Sequence, residues 1–406
     1  MALRILVLGC SGASTGELTL TFDWLRRLRR EVDVHVLVNA LAQGSAKWFG
    51  ATVHGYPAAG GHEAVREVER VFDEIKPDVL LVADMLLAYL TSPEFARYFR
   101  RGPNLLTPFL ERAAASCCVV GLDLYDWDEN HPHVDLFGRP GQRFGVQASD
   151  HVRRLMPSPY LAPAASTPGR GRYALMKKET PPSEAERSAV RDELGITGKV
   201  VFIATSPWQH LMAGHREAAQ VSLHLPGLLL DWLDTVRAST PLTVLHLGPQ
   251  PFPARAGYRH VPQMPPEQFR RLLGAADLVL SPNSIATTNI RAAAFSVPVC
   301  AVHNSGAAPV GDDAAERFFV EAAPYPWHVW PLGLFRLIER VLEDNPYRAM
   351  QTHVDVARPE AALQAIVELL TSPTIADEAR AKQAAFFELL EATVDDADGA
   401  LDAVLA

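Results

Sequence analysis

Asn283, Ser284, Thr287 and Thr288 put a row of hydroxyl and amide side chains directly after the apolar run Leu278-Val279-Leu280 and ahead of the Ala-rich stretch 290–295. A strand that ends on a helix start leaves unpaired amide N–H groups, and the positive end of the helix dipole points at the same spot. That geometry binds anions. This far into the second half of a 406-residue chain, it suggests a nucleotide or a sugar phosphate. Ordinary N-capping is the competing use, but it needs only one or two such residues. Arg291 can join as a forked phosphate partner or sit in a surface ion pair. Gly248 ends a second apolar strand and would permit close approach of a ligand. Asp84 ends a third, where a carboxylate can orient or deprotonate a substrate or cap a nearby turn.

The elements that must position these residues alternate regularly. In the first half, apolar strands at 3–8, 32–38, 51–54, 79–83 and 117–122 are separated by helical spacings at 17–29, 62–75 and 105–116. A small-residue turn fills 10–15, and a further segment covers 43–49. Continuous apolar strands joined by helices predict a parallel sheet covered on both faces. Residues 158–183 are rich in Pro, Gly, Ala and Ser and read as a linker, with one strand at 173–176. A helix at 184–194 then leads into a second series of strands at 199–204, 242–247, 258–261, 278–280 and 297–302. After Trp330 the chain reads as mainly helical, over 332–342, 359–370 and 374–390. The fold class predicted is α/β, with two Rossmann-like doubly wound domains in tandem: 1–180, 181–373, and a helical tail, 374–406, packing back on the first domain. An apolar fraction of 48% with 21% charged residues is that of an ordinary globular protein. A net charge of −9 argues against a nucleic-acid partner. No apolar run approaches the roughly 20 residues that span a bilayer, and the N-terminus enters a strand without the pattern of a signal peptide. The four cysteines, at 10, 117, 118 and 300, lie in or beside apolar strands, where thiols act as small hydrophobes. The expected location is the cytoplasm.

The order of elements resembles the GT-B glycosyltransferases, in particular the bacterial natural-product branch related to the UDP-glycosyltransferases. The donor motif of that family runs as an apolar strand, His-Gly-Gly, a hydroxyl-rich turn, an acidic residue, a small-residue helix and Gly-Val-Pro-Val. Here it reads Leu278-Val279-Leu280, Asn283-Ser284-Ile285, Ala286-Thr287-Thr288, Arg291, Ala292-Ala293-Ala294 and Ser296-Val297-Pro298-Val299. The resemblance implies a nucleotide-activated sugar donor held by the second domain and a small-molecule acceptor held by the first. It implies no cofactor and no metal, and a homodimer is allowed. Donor contacts then fall on Asn283, Ser284, Thr287, Thr288, Arg291, Ser206, Trp208, His210, Gly248 and Gln263. Trp208 would stack on a base or sugar and His210 reach a phosphate, or the two are a packed Trp and a solvated His. Acceptor contacts fall on Ser14, Thr15, Gly16, His62 and Asp126. Glu17, at the first helix start, and Asp84 are the two candidates for the catalytic base; a helix-start Glu can also simply complement the dipole. The family histidine is replaced by Asn283 and its ribose-gripping acid by Arg291, which cannot accept hydrogen bonds. Asp126-x-Asp128 and His131-x-His133-x-Asp135 look like metal patterns but lack the context of a site. A sugar-nucleotide epimerase on the same fold, or a non-catalytic nucleotide-binding relative, are the competing readings.

Overall fold

A computed structural model describes residues 2–10, 16–57, 61–85, 88, 106–126, 151–212, 216–307 and 325–406. The first sheet is built from β1 (Leu3–Gly9), β2 (Val32–Asn39), β3 (Thr52–Tyr56), β4 (Val79–Val82), β5 (Cys118–Leu122), β6 (Arg153–Ser158) and β7 (Arg170–Ala174). Their order is β3-β2-β1-β4-β5-β6-β7, and the pairings are parallel, with Leu8 facing Leu37 on one side and Val82 on the other. All four residues of β4 are buried. Strands without alternation can rest only at the centre of a sheet covered on both faces.

The second sheet takes β8 (Lys199–Ala204), β9 (Leu242–Leu247), β10 (Tyr258–Val261), β11 (Leu278–Ser281), β12 (Val299–His303) and, beyond the hairpin of β13 (Trp327–Val329) and β14 (Leu332–Leu334), β15 (Thr352–Asp355). The order β10-β9-β8-β11-β12-β15 repeats the doubly wound plan. Its core gathers Val200, Phe202, Leu245, Val279, Ala292, Phe295 and Val299. Fully burying one such side chain as Phe202 contributes roughly 1.5–3 kcal/mol. The small side chains of the helix Thr287–Ala294 let its backbone press close on the sheet: Ala292, Ala293 and Ala294 are all buried.

The span read as a linker is not structureless. It carries the end of β6 and β7, and β7 lies at 170–174 rather than 173–176. The stretch after Trp330 is not purely helical, since β14 and β15 interrupt it. The long helix Arg216–Arg237, with Pro226 inside it, went unassigned in the sequence reading. One compact unit comprises described residues up to Leu175 together with Leu389–Ala406; the second runs from Met176 to Glu388. The chain therefore returns to the first unit at 389, inside the helix Pro373–Thr393, and not at 374. Within the first unit the helix Ala397–Leu405 lies against β7: the Gly169 N–H donates to the Ala403 carbonyl at 2.7 Å, and a Cβ on Gly171 would meet the Ala400 carbonyl oxygen at 2.2 Å. Arg30 pairs with Asp398 and Asp402, and Arg29 with Asp396. Among the described residues no helix is long and apolar enough to cross a membrane.

Candidate active site

In a doubly wound sheet, ligands sit outside the carboxyl ends of the strands where the winding reverses. In the second unit that reversal lies between β8 and β11. Two turns meet there, one after Ala204 and one after Ser281. They are tied together through Gln209 and Trp330. The Ser206 N–H donates to Gln209 Oε1 at 2.7 Å, Gln209 Nε2 donates to the Trp330 carbonyl at 2.7 Å, and the Trp330 N–H donates to the Pro282 carbonyl at 2.9 Å. Trp330 is 2% exposed and its indole N–H donates to the Val221 carbonyl at 3.0 Å.

The turn after β11 is held from beneath. Asn283 Oδ1 accepts from the Ile285 N–H at 3.1 Å, a side-chain turn typical of Asn. Asn289 Nδ2 donates to the Asn283 carbonyl at 2.9 Å and to Gln351 Oε1 at 2.9 Å. The Ser284 N–H donates to the His328 carbonyl at 2.9 Å, and the Ser284 hydroxyl meets His328 Nδ1 at 3.2 Å. His328 Nε2 reaches Glu339 Oε1 at 2.7 Å. That contact is the main reason the Glu339 carboxyl is held down to about 2, with Arg348 adding to it. His303 stacks on His328 with ring centroids 5.1 Å apart; burial, then the neighbouring His328, pushes it down to about 4. The helix that follows begins at Thr287, and its cap position is Ala286, which has no capping oxygen. No side chain at the cap position itself therefore closes this helix start.

On the other side of β8, Thr205 Oγ1 lies 2.9 Å from His210 Nε2 and 2.8 Å from His246 Nε2. His246 Nδ1 is 2.8 Å from the Tyr258 hydroxyl, which accepts the Phe252 N–H at 2.6 Å. His246 is fully buried, and burial first, then His260 and His210, pushes it down to about 3.

Several expected donor contacts change meaning. Ser284 has 0% exposure and its hydroxyl is committed to His328, so it supports the turn and does not face a ligand. Arg291 is 7% exposed, so it is no surface cation. Gly248 permits close approach by Thr205 and His246, not by a ligand: a Cβ there would meet Thr205 Oγ1 at 2.2 Å and His246 Nε2 at 2.9 Å. Asn283, Thr287, Thr288, Ser206, Trp208 and His210 are half-buried at the reversal point, and Gln263 is exposed. Sequence reading missed Thr205, Gln209, His246 and Tyr258 as site residues. His246 was detectable as the one ring nitrogen inside the otherwise apolar and hydroxyl run LTVLHL.

The first unit has its own reversal, between β1 and β4. Glu17 stands in the first turn of the helix Gly16–Leu25 after β1, and Asp84 follows β4. Both lie within electrostatic reach of Tyr125, a half-buried residue whose phenol is pushed well above its usual range by desolvation first, then by Tyr160, Glu17 and Asp84. The two candidate bases are thus brought together around Tyr125 and Tyr160, neither of which the sequence singled out. Asp126 adopts a left-handed backbone, φ 52°, and its Oδ1 accepts from Arg154 and Arg170, each at 3.2 Å. This ion pairing gives Asp126 a structural partner set. His62 is exposed beside the start of the helix Gly61–Ile75. Ser14 and Thr15, like Asp128, His131, His133 and Asp135, lie outside the described residues. Among the described residues no cluster of His, Cys, Asp or Glu could hold a metal ion, and the cysteines are free thiols.

Two parallel sheets of this order in one chain define the GT-B fold. Solved glycosyltransferases share it along nearly their whole length. A spinosyn rhamnosyltransferase, SpnG, is 12% identical with 98% of each chain covered and a TM-score of 0.53. The glycosyltransferase VinC in complex with dTDP is 12% identical with 99% of each chain covered and a TM-score of 0.51. SsfS6 from Streptomyces sp. SF2575, complexed with thymidine diphosphate, is 13% identical with 100% of each chain covered and a TM-score of 0.50. No curated protein matches the sequence. The chain belongs to DUF6365, a family of unknown function, whose model matches residues 25–405.

Proposed function

We propose that this protein is a glycosyltransferase that moves a sugar from a nucleoside-diphosphate donor to a small-molecule acceptor of secondary metabolism, in the cytoplasm and without metal or cofactor. The observation that carries the reading is the helix start at Thr287, capped by Ala286 and set at the strand reversal of a GT-B chain. Its first-turn amides and dipole favour a diphosphate, and the Asn283 amide group and the Thr288 hydroxyl add neutral donors. The thymidine diphosphate and dTDP bound by two of the structural relatives support the same ligand class.

The reaction would be a direct displacement at the anomeric carbon. The acceptor hydroxyl gives its proton to Glu17 or Asp84, and the departing diphosphate is stabilised at the 283–288 turn. The Tyr125 phenol stays protonated beside these carboxylates and can orient one of them by donating a hydrogen bond. A thermal-shift series with UDP, TDP, GDP and ADP, followed by turnover with the corresponding sugar nucleotides, tests the proposal. A ligand held only by the native state raises apparent stability. Stabilisation by a nucleoside diphosphate and its release during turnover are the expected results. Absence of stabilisation by all four would overturn the donor assignment; conversion of the sugar without release of nucleotide would turn the reading into an epimerase.

A further inference from the structure

The hydrogen bonds at the ends of β8, β9 and β10 fix more than side-chain positions, because their protons can be counted. The Phe252 N–H donates to the Tyr258 oxygen at 2.6 Å, so that phenol already accepts and has its own proton to give. Its nearby acceptor is His246 Nδ1, at 2.8 Å. His246 is buried and neutral, so it carries one N–H. With Nδ1 accepting, the proton sits on Nε2 and is donated to Thr205 Oγ1 at 2.8 Å. The Thr205 hydroxyl then gives its proton to His210 Nε2 at 2.9 Å. Run in the opposite direction, the chain would load two donors onto the phenol oxygen and strand the phenol proton.

At the outer end, His210 is half-buried and lies perpendicular to the Trp330 ring, with centroids 5.9 Å apart. Among the described residues the groups around it that can titrate are His246 and His260, and burial first, then His260, lowers its affinity for a second proton. Among the described residues no carboxylate pairs with it, and its one hydrogen bond is made through Nε2.

We propose that Tyr258, His246 and Thr205 are positioning residues that hold His210 as a neutral imidazole with its proton on Nδ1, turned away from Thr205 as a donor to an anionic oxygen of the ligand at the β8–β11 reversal. Only the naming of the ligand rests on the function proposed above; the proton order does not. A neutral ring of fixed tautomer donates to a phosphate oxygen without the desolvation cost of a buried cation.

Nuclear magnetic resonance of protein labelled with ¹⁵N at the histidine rings reads the tautomers directly, with His210→Gln and His246→Gln assigning the signals. The expected result at pH 7.5 is a protonated Nδ1 and bare Nε2 for His210, and the reverse for His246. A proton on His210 Nε2, or a rapidly averaging ring, overturns the relay. Thr205→Val should convert the His210 signal to an average while Thr205→Ser preserves it. Tyr258→Phe, at a half-buried position, makes the same test from the other end should Thr205→Val not fold. In calorimetric titrations with UDP and TDP, Thr205→Val should weaken binding roughly tenfold, the value of one hydrogen bond to a charged group, and Thr205→Ser should restore it. Equal affinity in wild type and Thr205→Val overturns the ligand role of His210 and leaves the donor reading standing. If wild type takes up neither nucleotide, the donor reading fails and the ring signals alone decide the relay.

Discussion

The two strand reversals share a plan and differ in chemistry. At the first, Glu17 and Asp84 stand near a half-buried phenol, Tyr125. At the second, Asn283 and Thr288 stand at a helix start after β11, and Thr205 and His210 follow β8, with the neutral, buried His246 bonded to Thr205. The same winding therefore presents proton acceptors in one unit and hydrogen-bond donors in the other. Topology supplies the crevice; the residues that end each strand decide what it can do.

That division can be broken first at its acidic side. Glu17→Gln and Asp84→Asn are expected to differ sharply: the true base should lose about 10²–10⁴-fold in kcat, while nucleotide affinity measured by calorimetry stays at the wild-type value in both. Loss of nucleotide affinity in either variant would dissolve the contrast between the units. Next in size is Trp330→Ala, which empties a buried site and unties the two turns, at a cost of about 3–5 kcal/mol in urea denaturation. Gln209→Leu strands the Ser206 N–H and the Trp330 carbonyl and should cost about 1–3 kcal/mol. Gly248→Ala drives a methyl group into Thr205 and His246, for an expected loss of about 1–3 kcal/mol; an unchanged urea midpoint would mean that the turn yields.

A last prediction concerns the response to acid. His246 and His353 lie at about 3 and His303 at about 4 because of burial, against an ordinary 6.5. The unfolded chain therefore takes up protons that the native one refuses. Stability is fully present above about pH 6.5 and declines as pH falls through 6.5 toward 3–4. Glu339, lowered from 4.5 to about 2, adds a decline below about 4.5. All four groups belong to the second unit, so hydrogen exchange at pH 5 against pH 7.5 should show its strands losing protection before those of the first.

Much of the scaffold was legible because its strands are continuous apolar runs, such as VLLV at 79–82, which only a covered parallel sheet can use. The failures have physical causes. β6, RRLMPS, carries two charges and a proline, and β15, THVD, is an edge strand of four residues with one buried position. Neither shows the period or apolar run that marks a strand. At the site, the hydroxyl row at 283–288 was visible, but its partition was not. Ser284 faces His328 from 44 residues away, and Thr205 meets His246 across 41. Such pairings arise when strands are laid side by side, and no local spacing encodes them.

The Gly171 backbone has no Cβ because the helix Ala397–Leu405 occupies that space, and this has a consequence for how the molecule is made. A ribosome delivers β7 well before that helix; the whole of Met176–Glu388 emerges in between. The earlier sheet must therefore wait, its outer flank uncovered, while the later one completes itself. Nascent chains arrested after residue 388 should hold a finished second sheet and an unfinished first, the reverse of the order in which vectorial synthesis usually completes domains.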